Sequence, residues 1–130
     1  MEFTELLRFE YVLAEKGEAT VAVELGDEHM SRADRAHGGV LFSLLDSAMG
    51  QAVLSSLPAG RGCATLEMKI NYFRPVQHGR MTALAHVLNI TRNTAYAEGE
   101  IRNADGKVLA KASGTFFVTA TLKQSERERV

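Results

Sequence analysis

Four residues near the first third of the chain have the types and spacing that acyl-transfer chemistry needs: His37, Gly38, Gly39 and, further on, Asp46. Paired glycines at a helix start leave backbone N–H groups uncovered at the positive end of the helix dipole. A carbonyl oxygen gaining negative charge can be held there. Asp46 adds a carboxylate, the group that attacks a carbonyl or activates a water to do so.

The element that must position these residues is one long helix, expected from Gly38 to Leu57 and stopped by Pro58 and Gly60. At about 100° per residue, Val40, Leu41, Leu44, Leu45, Ala48, Met49, Ala52 and Val53 cover most of its circumference, the pattern of a buried helix. The gap in that cover is a stripe of Gly39, Ser43, Asp46 and Gly50. Its small residues admit another backbone at close range. Its carboxylate, if buried, must be paired, hydrogen-bonded or shifted in pKa. Ser47 and Gln51 lie near Asp46 on the helix and are candidates to hold the carboxylate or an attacking water.

The rest of the chain reads as strands. A short N-terminal helical turn (Phe3, Leu6, Leu7) precedes strand candidates at Phe9–Ala14 and Ala19–Leu25, joined by a hairpin at Gly17. A polar loop from Gly26 to Ala36 leads into His37, and we read it as cover for a pocket mouth. Its His29, Asp34 and His37 fit no familiar zinc spacing, so no metal is expected. After the helix come Cys63–Phe73, Met81–Thr91, Ala95–Arg102 and Lys107–Thr121, with an Asp-Gly hairpin at Asn103–Gly106. Long antiparallel strands on short turns, around one buried helix, predict an α+β domain: a curved sheet of about six strands wrapped round that helix. It is expected to span residues 1–122, with 123–130 a charged, disordered tail.

At 130 residues the chain is one domain, long enough to bury about two thirds of its unfolded surface. A formal net charge of −1 gives no basic field for nucleic acid or an anionic membrane. The single Cys63 excludes an internal disulfide, and no stretch reads as a signal peptide or membrane span, so a cytoplasmic protein is expected.

His37-Gly38-Gly39, six residues, then Asp46 resembles the hotdog-fold acyl-CoA thioesterases of the phenylacetate-pathway (PaaI-type) branch, in the 4-hydroxybenzoyl-CoA thioesterase superfamily. Their pattern is commonly written H-G-G-x-x-x-x-L-x-D. Asn71-Tyr72-Phe73-Arg74-Pro75 resembles the family's strand end after the helix, and Ala112–Val118 its last strand, so the likeness runs from about residue 5 to 120. The resemblance implies hydrolysis of an aryl, arylacetyl or medium-chain acyl-CoA, without metal or cofactor. Asp46 would be nucleophile or general base, the Gly38 N–H the oxyanion donor, with His37 orienting the thioester or its loop and Gly39 beside them. Ser31 stands where such sequences usually carry Asn, in the neighbourhood of the substrate carbonyl. Arg74, Arg92 and Lys111 are the cations near turns or strand ends that could meet the phosphates of coenzyme A. Two other readings compete: a hotdog dehydratase acting on 3-hydroxyacyl thioesters, which would pair a strand histidine with the helix acid, and a non-catalytic acyl-CoA binder.

Gly38 and Asp46 are separated by about 12 Å along one helix, at 1.5 Å per residue. A thioester carbonyl needs donor and carboxylate each about 3 Å away. Two antiparallel copies of the helix would satisfy both, so a homodimer with shared sites is expected, and by resemblance a dimer of such dimers.

Overall fold

The computed structural model describes residues 1–120. After α1 (Phe3–Leu6) come β1 (Glu10–Glu15) and β2 (Glu18–Glu24), a 3-10 turn at Asp27–His29, and α2 (Gly38–Ser55). Then follow β3 (Cys63–Tyr72), β4 (Arg80–Ile90), β5 (Thr94–Arg102) and β6 (Val108–Val118). The strands form one antiparallel sheet in the order β1-β2-β4-β5-β6-β3, curled round α2. This is the hotdog fold expected from the sequence. The last strand stops at Val118, short of the expected Thr121. Thr121, the boundary at 122 and the tail at 123–130 lie outside the described residues. Among the described residues no helix is long and apolar enough to cross a membrane.

Turn chemistry follows the residues. Lys16 and Gly17 both take positive φ, the geometry of a two-residue hairpin that matches strand twist. The Asn103 side chain accepts hydrogen bonds from the Asp105 and Lys107 N–H groups and so shapes the β5–β6 turn.

Small residues pave the face of the sheet under α2. Ala83 and Ala85 on β4, Ala95, Ala97 and Gly99 on β5, and Ala110, Ala112 and Gly114 on β6 all point to the helix or are buried beneath it. A thick helix therefore lies close to the sheet, and Leu44, Leu45 and Met49 fill the space fully buried. Each such side chain contributes about 1.5–3 kcal/mol. The closeness is strict: a Cβ on Gly114 would stand 2.8 Å from the Glu67 carbonyl oxygen and 3.0 Å from Met49 Cε.

The eight apolar residues expected to be covered, from Val40 to Val53, are all buried. The rest of α2 is open within a single chain, because the sheet does not close over it. Gly39, Phe42 and Leu54 are exposed, and Ser43, Asp46, Ser47, Gly50 and Gln51 are only partly covered. The small-residue stripe lies on this open side.

Candidate active site

His37 is the N-cap of α2, with extended backbone, and its Nδ1 accepts the Gly39 N–H at 2.8 Å. That bond uses up one glycine amide. Among the described residues the Gly38 N–H makes no hydrogen bond, so of the two glycines Gly38 keeps its donor free. Behind it stands Tyr72, whose hydroxyl donates to the Gly38 carbonyl at 2.7 Å. A Cβ on residue 38 would come within 3.2 Å of that hydroxyl and 3.3 Å of the ring. Burial pushes the Tyr72 phenol above its ordinary pKa, which keeps it a donor.

Asp46, on the open side of α2, is held from β3: Thr65 Oγ1 donates to Asp46 Oδ1 at 2.7 Å. The carboxylate thus has one oxygen oriented, and the other accepts no side-chain hydrogen bond among the described residues. Nearby, the Cys63 Sγ approaches the Gly50 carbonyl at 3.8 Å, and its thiol pKa is raised by burial and then by the Asp46 charge.

Thr65 is the residue that sequence reading missed. It reaches Asp46 because of a bulge between Thr65 and Glu67: Thr65 pairs with Phe116 and Glu67 with Thr115, which leaves Leu66 without a partner. Side chains face alternate sides of a regular strand, so Thr65 and Tyr72, an odd number of residues apart, would otherwise face opposite ways. The bulge absorbs Leu66, and Thr65 and Tyr72 both meet α2. A signal existed in the switch from odd inward positions (Cys63, Thr65) to even ones (Met68, Ile70, Tyr72).

Residues 34–110 match the family model of the thioesterase superfamily. This chain belongs to that superfamily. It is 39% identical to a conserved protein of Pseudomonas aeruginosa whose structure it matches with a TM-score of 0.86, over 89% of this chain and 92% of that one. A variant of the phenylacetic acid degradation protein PaaI from Thermus thermophilus is 35% identical, with a TM-score of 0.80 over 88% and 96%. A hypothetical thioesterase of Streptococcus pneumoniae, solved with coenzyme A, is 27% identical, with a TM-score of 0.81 over 89% of each chain. The enzyme is a thioester hydrolase of PaaI type. The strand side chain that meets Asp46 is a threonine and not the histidine that the dehydratase reading pairs with the helix acid.

The other expected site residues are dispersed in the single thioesterase chain. Ser31 turns inward on its own loop: its hydroxyl accepts the Ala33 N–H and its N–H donates to the Arg35 carbonyl. Ser47 and Gln51 are half-buried on α2, with no side-chain hydrogen bond among the described residues. Arg74 is exposed just beyond Tyr72, at the Gly38 end of α2. Arg92 is exposed in the β4–β5 turn, its carbonyl 3.5 Å from Arg61 Nη2, toward the Gly50 end. Lys111 lies 4.0 Å from Glu100 on the outer face of the sheet. His29, in the loop, is fully buried with both ring nitrogens engaged, one by the Leu7 carbonyl and one by the Gly26 N–H.

Proposed function

We propose that the enzyme hydrolyses acyl-CoA thioesters, with an aryl, arylacetyl or medium-chain acyl group, in sites shared across a homodimer. The observation that carries this reading is the pairing of a free Gly38 N–H with an oriented Asp46 carboxylate on the one open side of α2. The coenzyme A bound to the Streptococcus pneumoniae thioesterase supports the leaving group. The Asp46 carboxylate attacks the thioester carbon, or takes a proton from a water that does. Thr65 holds one carboxylate oxygen so that the other faces the substrate. Charge collects on the carbonyl oxygen, where the Gly38 N–H at the helix start receives it. On the water route the C–S bond then breaks as the proton held by Asp46 passes to the sulfur, and the free acid and coenzyme A thiol leave. On the nucleophile route the C–S bond breaks to give an acyl-Asp46 anhydride and a thiolate that takes a proton from water, and a second water hydrolyses the anhydride to the free acid and restores the carboxylate. No metal or cofactor takes part.

Along one α2 the donor and the carboxylate stand about 12 Å apart, so each site takes Gly38 from one subunit and Asp46 from the other. The free edge of β3, with Leu66 and Phe73 exposed, and the open side of α2, with Phe42 and Leu54 exposed, offer the surface for that partner. Two such dimers then associate. Arg74 and Arg92 bind the phosphates of coenzyme A, and Ser31, Gly39, Ser47 and Gln51 border the substrate. His37 orients the N-terminus of α2 through its cap. The half-exposed free thiol of Cys63 suits a cytoplasmic setting.

Thiol release from a panel of acyl-CoAs tests the reading. Turnover of at least one aryl or medium-chain member, without added metal or nucleotide, is expected. Folded protein with no turnover across the panel would refute it.

A further inference from the structure

Two concavities stand out among the described residues. The larger, about 570 Å³, lies on the outer face of the sheet and touches none of His37, Gly38 or Asp46. The smaller, about 350 Å³, opens on the start of α2, where His37 and Gly39 form part of its lining. Half of its lining is apolar, Phe3 and Leu7 from the N-terminal segment, Met30 from the loop and Val40 from α2, and Glu28 and Ser43 complete it beside that histidine and glycine.

The N-terminal segment is fixed there by more than its own helix. α1 has only four residues, too few to be stable alone. The buried His29 ties it down: Nε2 meets the Leu7 carbonyl at 2.7 Å, while the His29 carbonyl accepts the His37 N–H at 2.9 Å. Arg8 takes a left-handed backbone (φ 59°) and pairs with Glu28. One junction therefore joins α1 to the cap of α2.

We propose that this cavity receives the acyl group of the thioester, and that Phe3 sets the length of chain accepted. The position fits, because the carbonyl must sit at the adjacent start of α2. Phe3, Leu7, Met30 and Val40 give it the apolar surface that an acyl group buries. At about 30 Å³ for a water-sized group, the space takes about ten carbon-sized groups. This inference rests on the acyl-CoA reading above.

The test measures kcat/KM for straight-chain acyl-CoAs from short to long, together with binding of the same series in an Asp46→Asn background. Phe3 is 59% exposed, so its replacement spares the core. Phe3→Ala should raise the long-to-medium ratio on the order of tenfold and Phe3→Trp should lower it. Leu6→Ala, on the same helix but outside the cavity, should leave the ratio at the wild-type value. A ratio unmoved by both Phe3 variants, or moved equally by Leu6→Ala, overturns the proposal. So does a change in inhibition by free coenzyme A with an unmoved ratio, which would put the pantetheine arm in the cavity. If wild type turns over nothing, the hydrolase reading falls, and the binding ratio alone decides the cavity.

Discussion

At the scale of single residues, the two halves of the chemistry make different demands. Asp46 must carry charge, so Asp46→Asn should lower kcat on the order of 10²-fold or more, with little change in melting temperature. A fully active Asn variant would remove Asp46 from the reaction. Thr65 acts through Asp46. Thr65→Val should lower kcat about tenfold with KM nearly unchanged, and Thr65→Ser should restore most of it, because the hydroxyl is what matters. Cys63 offers an independent view of the same charge. Its thiol titrates high, first from burial and second from Asp46, so the pH at which alkylation accelerates should lie above that of a free cysteine. Removing the charge with Asp46→Asn should move that inflexion down, as a rate-against-pH series would reveal.

At the scale of elements, the close seat of α2 depends on missing side chains beneath it. Gly114→Ala puts a methyl against the Glu67 carbonyl and Met49, and overpacking of that kind costs about 1–3 kcal/mol. Thermal unfolding should show a fall of several degrees with the acyl-CoA profile unchanged. The elements themselves were legible in the residues. Apolar periodicity from Val40 to Val53 outlined α2, and alternation in Ala19–Leu25 outlined β2. The pair of glycines and Asp46 also stood out by type and spacing. What could not be read was contact between elements. Thr65 is an ordinary strand threonine until the bulge turns it to Asp46, and His29 looks like a loop histidine until Leu7 folds over it. The eight buried positions of α2 were legible too, but an apolar stripe does not reveal that Phe42 and Leu54 stay outside it in a single chain.

At the scale of the whole molecule, one subunit leaves Phe42, Leu54, Leu66 and Phe73 in water. A shared site makes a sharp prediction about mixing. Asp46→Ala removes the carboxylate, and Gly38→Pro removes the N–H where proline suits a helix start and the preceding residue is already extended (ψ 135°). In a mixed dimer one site inherits both defects and the other neither. Random mixing makes about half the dimers mixed, so activity should return to roughly a quarter of wild type. Mixed dimers proven to form yet as inactive as either parent would rule out the shared site.

Leu66 has a further consequence, for how this strand tolerates gain and loss of codons. Because the pairing of β3 with β6 skips Leu66, its deletion leaves every other partner, and the facing of Thr65 and Tyr72, unchanged. Deletion of Lys69, in the regular part of the strand, would reverse one end of it. A variant lacking Leu66 should therefore keep more stability and turnover than one lacking Lys69, although both lose one residue from the same strand. In an alignment of this lineage, position 66 is where β3 can open a gap without rewriting its inner face.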